Sequence, residues 1–194
     1  MAKSSAHAGQ AWSGPILIIC LAQMISLLLI PSAYAEGCEE LKNNEKYADV
    51  IHFGKSCYFV IKGAMDTANK ERGPGEYKLN KSLAQNMCKD EGAALVTIHS
   101  QEEFDSIYKN YEERYINVAI GFLLGAMLKI TGNDSKIFVW DDGSEMRFNK
   151  TILNGYRNDD AVIVATWESK WVVKNPELVY GKTLIICKMS GDPK

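Results

Sequence analysis

Residues 88–107 read CKDEGAALVTIHSQEEFDSI. A cysteine, a histidine, a serine and several carboxylates stand close together, as they would in a nucleophilic or metal site. The periodicity says otherwise. From Ser82 onward, Leu83, Ala84, Met87 and Cys88 recur at helical spacing, and Gly92 stands where such a helix would stop. Cys88 then lies on the buried face. The apolar ALVTI that follows reads as a short strand. Ser100, with Glu103 three positions on, forms a capping box opening a second helix from Gln101 to about Tyr111, with Phe104, Ile107 and Tyr108 as its inner stripe. In that setting the Ser100 hydroxyl is occupied by backbone, and Glu102 and Glu103 complement the helix dipole. No presenting turn of the G-x-S-x-G kind accompanies Ser100, so a hydrolase triad is not indicated.

Upstream, Ile16–Ile30 is apolar apart from Gln23 and Ser26, too short for a membrane-spanning helix, and is followed by PSAYA. This is the layout of a signal peptide over residues 1–35, with cleavage expected after Ala35 in an A-x-A context. Its loss would delete Lys3 and no acid, leaving 21 basic and 24 acidic residues, a charge of -3. Nothing in that balance draws the chain to nucleic acid or an anionic membrane. Cys38, Cys57, Cys88 and Cys187 remain, an even number in a chain bound for an oxidising, extracellular compartment. Two disulfides are expected, with three pairings open. The spacings are not those of a zinc site, and only His52 and His99 are left as imidazole ligands.

Elsewhere the pattern is short. CYFVI (57–61), NVAIGF, KIFVW, AVIVAT, KWVV and TLIICKM read as strands, whereas KGAMDTANKERGPGEY (62–77) reads as an exposed loop. LLGAMLKITGNDS begins like a short buried helix, ends like a polar turn, and has no secure assignment. Helices in the first half and strands in the second predict an α+β domain with a largely antiparallel sheet. Asp141 and Asp142, in WDDGS, read as a turn, and Asp159 with Asp160 as adjacent loop carboxylates. Asn80, Asn133 and Asn149 head N-x-S/T sequons and are candidate glycosylation sites.

The order of these motifs resembles the C-type lectin-like domain family. Ala84, Cys88, Gly92, Ala93, Leu95, Val96, Ile98, Ser100, Glu102 and Glu103 match its helix, strand and helix signature. Ile120, Gly121 and Phe122 look like its W-I-G-L strand with Ala119 in place of tryptophan. Trp140, Asp142, Gly143, Ser144, Phe148 and Asn149 resemble its W-x-D-G-S segment, and Trp171 with Ile186, Cys187 and Lys188 its closing strands. The resemblance implies a domain at 57–190 behind an N-terminal extension at 36–56. It also implies the pairs Cys88 with Cys187 and Cys38 with Cys57, and the absence of the family's loop-tethering bridge, Ala161 standing where its first cysteine is expected.

The functional implication follows from a departure. Sugar-binding members hold calcium through a Glu-Pro-Asn or Gln-Pro-Asp loop and an Asn-Asp pair after the tryptophan. Here KTILNGYRNDD (150–160) contains no such tripeptide, only Asp159 matches a ligand position, and Val172 and Val173 replace the pair. No metal or other cofactor is therefore expected. The chain reads as a secreted, non-enzymatic recognition module that binds a protein or glycan without the calcium site. Contacts are expected within Ile130–Val173, chiefly from Tyr156, Arg157, Asp159 and Trp167. Two alternatives are a lectin with an unconventional sugar site and a structural subunit that associates through FLLGAMLKI.

Overall fold

A computed structural model describes residues 33–130, 136–148, 152–153 and 161–190. Its elements, in chain order, are α1 (Ala33–Lys42), β1 (Tyr47–Phe53), β2 (Ser56–Ile61), α2 (Ala64–Ala68), β3 (Asn69–Gly73), β4 (Glu76–Leu79) and α3 (Lys81–Asp90). Then come β5 (Ala94–Leu95), α4 (Gln101–Tyr115), β6 (Gly121–Leu123), β7 (Ala126–Ile130), β8 (Lys136–Trp140) and β9 (Ile152–Leu153). The chain closes with β10 (Val162–Thr166), β11 (Trp171–Lys174), a 3-10 turn (Pro176–Leu178), β12 (Val179–Tyr180) and β13 (Ile186–Ser190). The architecture is α+β, as expected. One sheet has the order β1-β2-β13-β5 and a second β6-β10-β11-β9; β12-β4-β3 and the hairpin β7-β8 complete the set. All pairs are antiparallel except β11 with β9.

Strand β2 is buried along its whole length, which explains its unbroken apolar sequence. Successive side chains point to opposite faces. Tyr58 and Val60 join one apolar cluster with Phe104, Ile107 and Tyr111 of α4, whereas Phe59 and Ile61 join another with Ala84 and Cys88 of α3. β10 divides the same way, Ile163 and Ala165 to the first cluster and Val162 and Val164 to the second. The disulfides Cys38–Cys57 and Cys88–Cys187 are both formed. One pins α1 to β2, the other α3 to β13.

Both helices of the opening stretch are present. α3 begins one residue earlier than the apolar period suggests, because Asn80 caps it, its Oδ1 accepting the Leu83 N–H at 2.9 Å. α4 runs a full turn past Tyr111. Tertiary contacts fix that turn. The Tyr111 hydroxyl donates to the Asp49 carbonyl at 2.7 Å, the Tyr115 hydroxyl to Asp49 Oδ2 at 2.5 Å, and Arg114 pairs with the same carboxylate. Asp49 itself sits at φ 51°, in the irregularity between Ala48 and Ile51 of β1, where aspartate is among the few non-glycine residues that settle.

One expectation is corrected, and an unassigned stretch is placed. Residues 62–77 are not an exposed loop: they form α2 and the β3–β4 hairpin, with Ala64, Ala68 and Asn69 buried. Asn69 explains why a polar residue lies there, since its Nδ2 donates to the Met65 and Thr183 carbonyls and its Oδ1 accepts the Thr183 N–H. The start of LLGAMLKI is no helix but belongs to the β6 and β7 region. Within FLLGAMLKI, Phe122, Leu123, Leu124 and Ala126 are wholly buried, and a Cβ on Gly125 would meet the Leu95 carbonyl oxygen at 2.7 Å, whereas Met127 and Lys129 are exposed. The helix α1 begins at Ala33, so the expected cleavage point falls in its first turn.

Candidate functional site

Most of the residues expected to carry ligand contacts lie outside the described part of the chain. Tyr156, Arg157 and Asp159, with the sequons at Asn133 and Asn149, fall outside the described residues. Trp167 is described, and it belongs to the core rather than to an exposed contact surface. It is 7% exposed, its indole N–H donates to the Ala119 carbonyl at 2.7 Å, and its ring packs on Phe122 and Tyr108. An aromatic so enclosed offers no face to a ligand.

After Trp171, β11 presents Val172, half-buried, and Val173, 2% exposed. Neither side chain carries an oxygen. The acids of WDDGS are used locally or structurally. Asp141 receives Lys81 Nζ at 2.9 Å and Gln85 Nε2 at 2.6 Å from α3. Asp142 Oδ1 accepts the N–H and the hydroxyl of Ser144, closing the turn that the D-G-S sequence predicts. Among the described residues no group of three or more His, Cys, Asp or Glu side chains is arranged to hold a metal ion.

A concave feature lies within the described residues. A cleft of roughly 660 Å³ opens between the β1–β2 turn, the start of β5 and the N-terminus of α4. Its floor is polar. Glu103, 5% exposed, accepts the Tyr58 hydroxyl at 2.5 Å and Lys188 Nζ at 2.7 Å through Oε1, and the His99 N–H at 2.7 Å through Oε2. Lys188 Nζ also donates to the Thr97 carbonyl at 3.1 Å. The capping box is thus realised in altered form: Ser100 Oγ accepts the Glu103 N–H at 3.1 Å, but the Glu103 carboxylate reaches past the cap to His99. Tyr58 is held protonated far beyond its ordinary range, by burial first and then by the Glu103 charge. His99 is lowered, chiefly by burial and next by Lys188, so the ring is neutral at pH 7. For Asp142, burial works against the charge, but the Ser144 hydrogen bonds, then His99 and Lys188, outweigh it and hold the carboxyl below its usual range.

Sequence reasoning placed Glu103 at the cap but missed Tyr58 and Lys188. The one available signal is Lys188 itself, a charged residue inside the apolar run TLIICKM. A charge drawn half out of water in this way requires a partner. What the cluster can do is polar and structural, since its donors and acceptors already satisfy one another. The His99 ring nitrogen lies 3.2 Å from the Thr97 hydroxyl, and Ser100 is engaged as a cap.

The family described as Lectin C-type domain matches residues 77–189, more than half of the chain. The chain belongs to the C-type lectin domain family. Two solved structures share its fold: SPL-1 in complex with GlcNAc, at 23% identity and TM-score 0.51, and the carbohydrate-recognition domain of cow CD23 with a GlcNAc2Man3 oligosaccharide, at 21% and 0.50. The matches cover 73% and 77% of this chain, and 93% and 97% of those domains. Domains of this family are generally recognition modules rather than enzymes, and commonly extracellular. No helix among the described residues is long and apolar enough to cross a membrane.

Proposed function

We propose that the chain is a secreted, non-enzymatic recognition module that binds a protein or glycan ligand without calcium. The observation that carries this reading is the Val172–Val173 pair on β11. A calcium ion takes six to eight oxygen ligands from several segments. Hydrocarbon side chains supply none, and Val173 is sealed in the core, so its position could not present a ligand even with a changed residue. Asp159 alone does not replace the set. Calcium therefore does not fit the residues present at this position, and recognition falls to direct contacts.

The contacts to test first are Tyr156 and Arg157, because aromatic and arginine side chains supply most of the binding energy at interfaces. Alanine at either position should weaken binding by about tenfold or more. Glycan belongs among the ligand classes because two domains of the same fold have been determined with sugars. In that second reading Tyr156 stacks on a sugar face. A glycan array and a panel of extracellular proteins, probed with and without chelator, test both: binding is expected to persist in chelator. Loss of all binding on calcium removal would overturn the proposal.

A further inference from the structure

We infer that Asn80 carries an N-linked glycan, an inference that rests on the secretory reading above. Asn80, Lys81 and Ser82 form an N-x-S sequon in which the middle residue is not proline. Both Asn80 and Ser82 are exposed, at the junction of β4 and α3. Asn80 is the cap of α3, and its Oδ1 accepts the Leu83 N–H at 2.9 Å. The two ends of a planar carboxamide point apart. With the oxygen turned in to the helix, Nδ2 points away from the first turn, and no partner engages it among the described residues.

The other asparagines show why this matters. Asn69, which heads no sequon, is 3% exposed and uses Nδ2 on two carbonyls, so the fold has no room for a sugar on its nitrogen. Asn110 is exposed but commits Nδ2 to the Ser106 carbonyl at 2.7 Å. At Asn80 the cap consumes the oxygen and leaves the nitrogen. The modification requires a lipid-linked oligosaccharide diphosphate as donor. Nδ2 bonds to the sugar C1, the bond from C1 to the diphosphate oxygen breaks, Nδ2 gives up one proton, and the lipid diphosphate leaves. The product is a secondary amide whose oxygen keeps its lone pairs. Capping and glycosylation are therefore compatible at this position, each using a different atom of one side chain.

The test is expression of the full chain, with its own leader, in eukaryotic secretory cells, followed by amidase release of glycans in heavy-oxygen water and peptide mapping. Asn80 should be recovered as labelled aspartate. Ser82→Ala destroys the sequon but leaves the cap, so it should lose one glycan's mass with the thermal midpoint unchanged. A chain recovered from the medium with Asn80 as unlabelled asparagine overturns the inference and leaves the secretory reading standing. A chain that stays in the cytosol overturns both. A variant with Ser135→Ala and Thr151→Ala keeps only the Asn80 sequon and should still carry one glycan; a bare exported chain would equally sink the inference.

Discussion

The two main sheets are held by different means. The β1-β2-β13-β5 sheet is tied by both disulfides, by the Glu103, Lys188 and Tyr58 cluster, and by the Asp49 clamp on the end of α4. The β6-β10-β11-β9 sheet contains no covalent tie among the described residues. It is held by packing: Phe122, Leu123, the run Val162–Ala165, Trp171 and Val173 are all buried. In the first sheet, stability is concentrated in a few pairs whose partners lie far apart in sequence. In the second it is spread over many apolar contacts, each of which carries a small share.

The strongest way to break this contrast is at the staples. Cys88–Cys187 closes a separation of 99 residues and Cys38–Cys57 one of 19. In the chain-entropy account these are worth about 4.7 and about 3.3 kcal/mol. Replacing both cysteines of the first pair by alanine should cost more than replacing both of the second, measured by urea unfolding. The reverse order would show that local packing of α1 outweighs loop closure.

The next effect separates a specified pair from a permissive one. Glu103→Gln leaves the half-buried Lys188 without its counter-charge, which should cost about 2 kcal/mol. Adding Lys188→Met should recover part of that loss, since the uncompensated charge is then gone. If the two single changes simply add in a double-mutant cycle, the cluster is not the coupled unit that its distances indicate.

These same residues mark how far the sequence could be read. The helices around 88–107 were legible because caps and 3.6-residue periodicity are local signals. Lys188 and Glu103 stand 85 positions apart, and Asn69 meets Thr183 across 114, so no window of sequence contains either interaction. Residues 62–77 looked like a loop because the buried side chains there, Ala64, Ala68 and Asn69, are small or polar and leave no hydrophobic period. Trp167 looked like a contact residue because an aromatic between Thr166 and Glu168 gives no sign of the Ala119 carbonyl that receives its N–H. Gly121 is similar: a Cβ there would stand 2.1 Å from the Ala165 carbonyl oxygen, a constraint created only when β6 and β10 pair. Of the candidate site, the hydrocarbon residues Val172 and Val173 after Trp171 were legible because they are a matter of residue type at fixed positions. Ligand identity was not, because recognition depends on side chains brought together from distant positions, and residue type alone does not give that arrangement.

In the second sheet single changes should be smaller. Ile163→Val removes one methylene from a fully buried position and should cost about 1 kcal/mol. The same kind of cost is expected wherever this sheet is trimmed by one carbon. A loss near 3 kcal/mol would show that this sheet is as exacting as the first.

The smallest effect tests the polar ties of the first sheet at their outer edge. Glu91, just past α3, accepts Lys46 Nζ and the Tyr47 hydroxyl, the latter at 2.5 Å. Its carboxyl is held below the usual range, first by the hydrogen bond from Lys46 and then by that from Tyr47. Tyr47 is pushed from 10.0 up to about 12, first by its hydrogen bond to Glu91 and then by burial. A depressed carboxyl contributes stability above its unfolded range and loses it as pH falls through the folded value. A raised phenol contributes below its unfolded value and loses it as pH rises through the folded one. The tie is thus whole from about pH 5 to about pH 9 and fails on either side. With Lys46 well exposed, Glu91→Gln should cost only about 0.5 to 1 kcal/mol at neutral pH. Unfolding free energies of both proteins, compared from neutral pH into the acid range, should converge as Glu91 takes up its proton; a constant gap would mean that Glu91 acts through packing rather than charge.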